Sequence, residues 1–186
     1  MLCFVRSDSD ILEASWLNRA ASSLASNDDG SAPFIHSELL FCPPGSASGV
    51  DSVAGLACSI VYGGSVHLET KRFSRKEWFF RSMNCSKGQY NEMMSFCQSA
   101  KGKGFNHMGY FLYWTPISPS PMAYTYLGLS PRYFCSEVVI AALKSGDILD
   151  ESVSTSMHPN DLYKLVKENS MANCARSMNS VKLSFV

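Results

Sequence analysis

Near the start of the chain, apolar residues recur at helical spacing: Leu12, Trp16, Ala20 and Leu24, with Leu17 and Ala21 beside them. Asp10 offers an N-cap oxygen and Glu13 an acid three residues on, so the pattern predicts a helix over 10–25. The polar, Gly-containing stretch 26–33 reads as a loop. Phe34-Ile35-His36-Ser37-Glu38-Leu39-Leu40-Phe41 is short, apolar and aromatic, and Cys42-Pro43-Pro44-Gly45 stops it. That is the pattern of a strand over 34–41. After a loop of small residues at 46–52, a second strand is predicted over 56–62. Gly63-Gly64 makes a tight turn into a third strand over 65–73, where Val66 and Leu68 alternate with His67 and Glu69.

Helical signals then return. Ser74 is placed to cap a helix over 75–83, with Trp78 and Phe79 on one side. Ser86 is placed to cap another over 87–99, carrying Tyr90, Met93, Met94 and Cys97, and Lys101–Gly104 ends it. Pro116, Pro119 and Pro121 form a loop between aromatic stretches that read as strands over 108–114 and 123–129. The loop at 115–122 and the aromatics of 110–114 fit a pocket lining and a core connector equally well. Residues 135–145 form a largely apolar helix ended by Gly146. Asn160 or Asp161 caps a further short helix with Leu162, Leu165 and Val166 on its apolar side. Alternation over 181–186 predicts a final strand. The sum is an α+β chain, an antiparallel sheet with packed helices, in one domain over 1–186 without repeat or linker.

Length and composition agree with a folded domain: 186 residues, 46% hydrophobic and 12% aromatic. The formal net charge is +0, from 16 basic and 16 acidic residues. Nothing in that balance attracts nucleic acid, and no nucleic-acid partner is expected. The local cluster Lys71, Arg72, Arg75 and Lys76 reads as a solvated surface. Residues 1–10 lack the apolar core of a signal peptide, and runs such as 134–143 are too short to span a bilayer. The expected setting is therefore a reducing, cytoplasmic interior, with peripheral membrane contact left open. The cysteines are odd in number, 7, and scattered, with no C-x-x-C pair, so neither a zinc site nor a disulfide scaffold is expected. No cofactor and no metal are expected.

Two places carry chemistry. His36 and Glu38 share a face of the predicted strand, where a carboxylate beside an imidazole orients the ring and stabilises its charged form. His67 with Glu69 repeats the same spacing and competes with that pair. His36 is preferred because its strand is more apolar and thus more central. The second place is Tyr133-Phe134-Cys135-Ser136-Glu137, which puts Cys135 in the first turn of a buried helix. Unpaired N–H groups and the helix dipole favour an anion there. A cysteine at a helix N-terminus beside a histidine is the setting of a reactive thiol.

The order of these segments, F-I-H-S-E-L-L-F early and Y-F-C-S-E-V-V-I-A-A-L late, resembles the circularly permuted NlpC-type cysteine peptidases. These comprise the YiiX-like group and its relatives in large DNA viruses. The small-residue strand near 57–62, Phe73-Ser74-Arg75, Phe105-Asn106 before Gly109 and the segment 159–163 match as well, so the resemblance spans about 33–166. It implies a papain-like core and hydrolysis of a peptide, isopeptide or lipid amide or ester bond through a thioester. Carried onto this chain, Cys135 is the nucleophile, His36 the base and then the acid, and Glu38 orients His36. The oxyanion is met by the Cys135 N–H, with Tyr133 as a further candidate. Related families take the third residue from the neighbouring strand, which nominates Ser59 or His67 instead. The same permuted core also serves phospholipid acyltransferases of the lecithin-retinol type, and a silent binding or structural protein is the remaining alternative.

Overall fold

The computed structural model describes residues 1–9, 27, 30–42, 51–112 and 121–167. The helix expected over 10–25 and the strand expected over 181–186 lie outside the described residues. The chain is mixed α+β. Its centre is a five-stranded antiparallel sheet of β1 (Leu2–Arg6), β2 (Phe34–Phe41), β3 (Ser52–Ser59), β4 (His67–Ser74) and β5 (Trp78–Arg81), in the order β4-β3-β2-β1-β5. The helices are α1 (Lys87–Ala100), α2 (His107–Leu112), α3 (Cys135–Ser145) and α4 (159–167), with a 3-10 turn over Pro121–Leu127.

β2 and α3 form where the apolar runs predict them. β2 is buried along its whole length and lies between β1 and β3. Side chains from the sheet, including Leu2, Phe4, Leu39 and Phe41, merge with Met93 and Cys97 of α1 and Val138 and Val139 of α3 into the main core. A second cluster gathers Cys3, Val5, Leu40, Val53, Ala57, Phe73 and Trp78. α1 starts at the predicted cap: Gln89 N–H donates to Ser86 Oγ at 3.2 Å, and Ser86 N–H donates to the Gln89 side chain at 3.0 Å. Among the described residues, no helix is long and apolar enough to cross a membrane.

Four expectations are corrected. The segment predicted as a helix over 75–83 contains β5 instead. Ser74 Oγ accepts Lys76 N–H at 3.3 Å and closes a turn, and Trp78-Phe79-Phe80-Arg81 then pairs with Val5-Phe4-Cys3-Leu2. Aromatic residues suit a strand surface, and sheet pairing outweighs a weak cap signal. Residues 108–112 are helical rather than a strand, because Asn106 caps α2 by accepting Gly109 N–H on its Oδ1 at 2.8 Å, and 113–114 lie outside the described residues. Residues 123–127 fall in a 3-10 turn, and 128–129 follow it without strand pairing. α4 is capped two residues before the nearer of the two predicted caps: Asn160 N–H donates to His158 Nδ1 at 3.2 Å, with Pro159 at the first helical position.

The second strand is also displaced, to 52–59, and the third runs 67–74, so the two form one ladder from Ser52↔Ser74 to Ser59↔His67. β1, which the sequence reading left without an element, sits between β2 and β5.

β3 approaches β2 closely because Gly55 has no side chain. A β-carbon there would lie 2.5 Å from the Phe41 carbonyl oxygen and 2.9 Å from Leu40 Cδ1. Gly55→Ala is therefore expected to cost about 1–3 kcal/mol in urea unfolding through overpacking. Gly88→Ala on α1, where a β-carbon meets nothing closer than 3.7 Å, is expected to be neutral or slightly stabilising. Equal midpoints for the two variants would refute this account of the β2–β3 contact.

Candidate active site

β2 carries His36 and Glu38 on one face, two residues apart, and His36 Nε2 meets Glu38 Oε1 at 3.2 Å. The strand is irregular just here. Val5 pairs with His36 while Arg6 pairs with Phe34, which leaves Ile35 as an extra residue in β2. Such a bulge bends the strand and re-aims the side chain beside it. The bulged start is held from α4, where Asn160 Oδ1 accepts Phe34 N–H at 3.2 Å. Trp78 closes one side of the imidazole, with ring centroids 6.1 Å apart and planes at 72°.

Cys135 opens α3, which packs along β2 and sets the thiol near enough to the His36 ring to govern its proton affinity. Burial alone lowers the His36 pKa. The hydrogen bond and charge of Cys135, followed by those of Glu38, outweigh it and push the ring up to about 10. Cys135 is 5% exposed and His36 9%. Cys135 is among the free cysteines, together with Cys3, Cys42, Cys58, Cys85 and Cys97.

Glu38 has a second cation. Lys71 Nζ on β4 reaches its two carboxylate oxygens at 3.0 and 3.2 Å. Burial opposes ionisation of Glu38, but His36 and Lys71 together hold its carboxyl below the usual range. Lys71 in turn is raised, because Glu38 and Glu69 outweigh its own burial. The sequence reading placed Lys71 in a solvated basic cluster. Its role was hidden because its partner lies two strands away.

The other nominated residues are placed as follows. His67 Nδ1 meets Ser65 O at 3.1 Å and its Nε2 meets Glu69 at 3.4 Å. Ser59, opposite His67 in the ladder, keeps its hydroxyl buried among apolar neighbours. Tyr133 packs its ring against Phe96 of α1, with centroids 6.0 Å apart. It pairs with Phe105 in a parallel bridge just before the cysteine.

A residue the sequence reading passed over fixes the start of α3. Glu137 is fully buried and accepts Phe134 N–H at 3.0 Å, Ser156 Oγ–H at 2.7 Å and the Asn106 amide at 3.0 and 3.2 Å. Tyr124 O–H then donates to Asn106 Oδ1 at 2.8 Å. One carboxyl thus ties three separate segments around the turn that presents Cys135. Burial pushes its pKa up to about 8, against the pull of these donors. The signal was an acid at the third helical position after an aromatic cap.

No family model, no curated protein and no solved structure matches the chain. Among the described residues no group of His, Cys, Asp or Glu is placed to hold a metal ion.

Two outcomes are expected. With a folded pKa near 10 against about 6.5 unfolded, protonated His36 stabilises the fold fully below about pH 6.5. That contribution is lost as pH rises through about 10. Nitrogen NMR of the ring should report imidazolium at pH 8, and Cys135→Ala should lower its midpoint. A neutral ring at pH 7 in the wild type would refute the coupling. Glu137→Gln sets an amide nitrogen against buried donors, with an expected loss of about 1–3 kcal/mol in urea unfolding.

Proposed function

We propose that the protein is a thiol-dependent hydrolase, a cysteine peptidase or amidase, in which Cys135 is the nucleophile, His36 the base and Glu38 the residue that orients it. The observation that carries this reading is the buried group Cys135, His36 and Glu38, in which the imidazole meets the carboxylate through Nε2 and the thiol and the carboxylate together raise its pKa. The resemblance to the permuted, papain-like NlpC-type peptidases supports the same assignment.

The chemistry follows from these groups. The Cys135 thiolate forms a C–S bond to the acyl carbon of a peptide, isopeptide, or lipid amide or ester. The carbonyl oxygen gains charge beside the first turn of α3, where the Cys135 N–H has no partner within the helix. As the C–N or C–O bond breaks, His36 gives its proton to the leaving group. Water then attacks the thioester, giving a proton to His36 and a hydroxyl to the acyl group, and the thiolate leaves. Glu38 keeps His36 in the orientation this requires. Lys71 and Trp78 act through these two as positioning residues.

Brief treatment with limiting iodoacetamide near pH 6, followed by peptide mapping, tests the assignment. The reagent is small enough for a thiol that is 5% exposed. Label is expected on Cys135 ahead of Cys85, although Cys85 is exposed. His36→Ala should abolish that preference, and Glu38→Gln should slow the reaction, as loss of an orienting carboxylate can cost up to about ten-thousandfold in a triad. Ser59→Ala and His67→Ala should leave the rate unchanged. Preferential labelling of Cys85, or a rate insensitive to His36, would overturn the reading in favour of a catalytically silent protein.

A further inference from the structure

Among the described residues, the large exposed apolar side chains fall on the β3–β4 turn, α2 and the 3-10 turn with the residues just after it. Val61 and Tyr62 stand at the turn between β3 and β4. Met108 and Phe111 project from α2, at 55% and 46% exposure. Tyr126, Leu127 and Leu129 follow along the 3-10 turn, and Tyr126 is 90% and Leu127 75% exposed. The β3–β4 turn adjoins α2, and the 3-10 turn meets the start of α2 where Tyr124 O–H donates to Asn106 Oδ1. Tyr62 packs its ring against His107 at 5.2 Å and Phe111 at 6.4 Å. Ser65 bridges to Gly104, and Phe105 bridges to Tyr133.

The charges on these segments have one sign. The chain as a whole is balanced at 16 basic and 16 acidic residues, yet no Asp or Glu occurs from 52 to 68 or from 93 to 136. The same stretches hold Lys101, Lys103 and Arg132. Lys101 and Arg132 are exposed and Lys103 half-buried. The Arg132 guanidinium lies over the Tyr124 ring at 5.7 Å, and Gly104 borders its Nη1. The basic side chains therefore stand at the margin of the apolar group. Protruding Tyr and Leu tips beside the exposed Lys101 and Arg132, with Glu69 the exposed acid next to the β3–β4 turn, match the boundary of a bilayer whose headgroups are anionic. A second copy of this face would bring like charges together, which disfavours self-association.

We propose that the face formed by the β3–β4 turn, α2 and the 3-10 turn docks on an anionic membrane surface, with Tyr126 and Leu127 entering the headgroup boundary. The proposal is independent of the hydrolase reading. The same face borders the candidate site, since Tyr110 of α2 packs on Phe134, whose neighbour is Cys135. Docking would present that site to molecules held at the membrane.

The test is co-sedimentation of the full chain with sucrose-loaded vesicles of phosphatidylcholine alone and of phosphatidylcholine with about one-third phosphatidylserine. Pelleting is expected with the anionic vesicles and should fall in high salt, because the attraction is screened. The double variant Tyr126→Ser with Leu127→Ser should lose most of the binding. Lys101→Gln should lower it by about fivefold. All three positions are exposed, and unchanged circular dichroism and melting would show the variants folded. Equal pelleting with neutral and anionic vesicles, or no response to the substitutions, would overturn the proposal. So would light scattering that showed a dimer lost in the Tyr126/Leu127 variant, since the face would then belong to a second copy.

Discussion

A buried negative charge organises the sheet. Glu38 is 2% exposed in the middle of β2, and an unpaired carboxylate at that depth would cost several kcal/mol. Two cations make the position tenable, and they approach from different directions: His36 from the same strand and Lys71 from β4. For Lys71 to reach β2 its stem must pass over β3. The residue opposite Lys71 in the ladder is Gly55, which leaves that path open. The close approach of β3 to β2 at Gly55 thus coincides with the place where Lys71 crosses to the carboxylate, which together with Cys135 raises the pKa of His36.

Glu38 and Glu137 show how environment divides one residue type. Both are buried, but Glu38 faces cations and is held ionised, whereas Glu137 faces only neutral donors and titrates near 8. The first helps to raise the pKa of the ring beside it. The second ties the cysteine's turn to α2 and to the segment before α4. Neither could take the other's place, because the first without cations would protonate and the second with cations would pull the surrounding segments apart.

Much of this was legible in the residues. The run Phe34–Phe41, the Ser86 cap and the apolar stretch from Cys135 carry strong local patterns, and the alternation of a strand alone sets His36 beside Glu38. Elements whose reason lies in a distant partner were not legible. Trp78–Arg81 is a strand only because β1 is there to pair with it, and β1 itself is a run of only five residues. β3 is rich in Ala and Gly, which have little strand preference, so its bounds followed the more apolar residues downstream. Lys71 and Glu137 carry no local mark of importance; what distinguishes them is the polar atoms that meet them in space.

The position of β1 bears on how the molecule assembles. Its partners are β2 and β5, so its five residues wait for segments made some thirty and some seventy positions later. α3 must then arrive from still further along to cover β2. Few of the sheet's decisive pairings are local, and chains of that kind fold slowly through states with open strand edges. A lengthening chain holds His36 and Glu38 long before residue 135, the first position of α3, is added. The surroundings that raise the His36 pKa are therefore complete only after α3 has been made and has packed on β2.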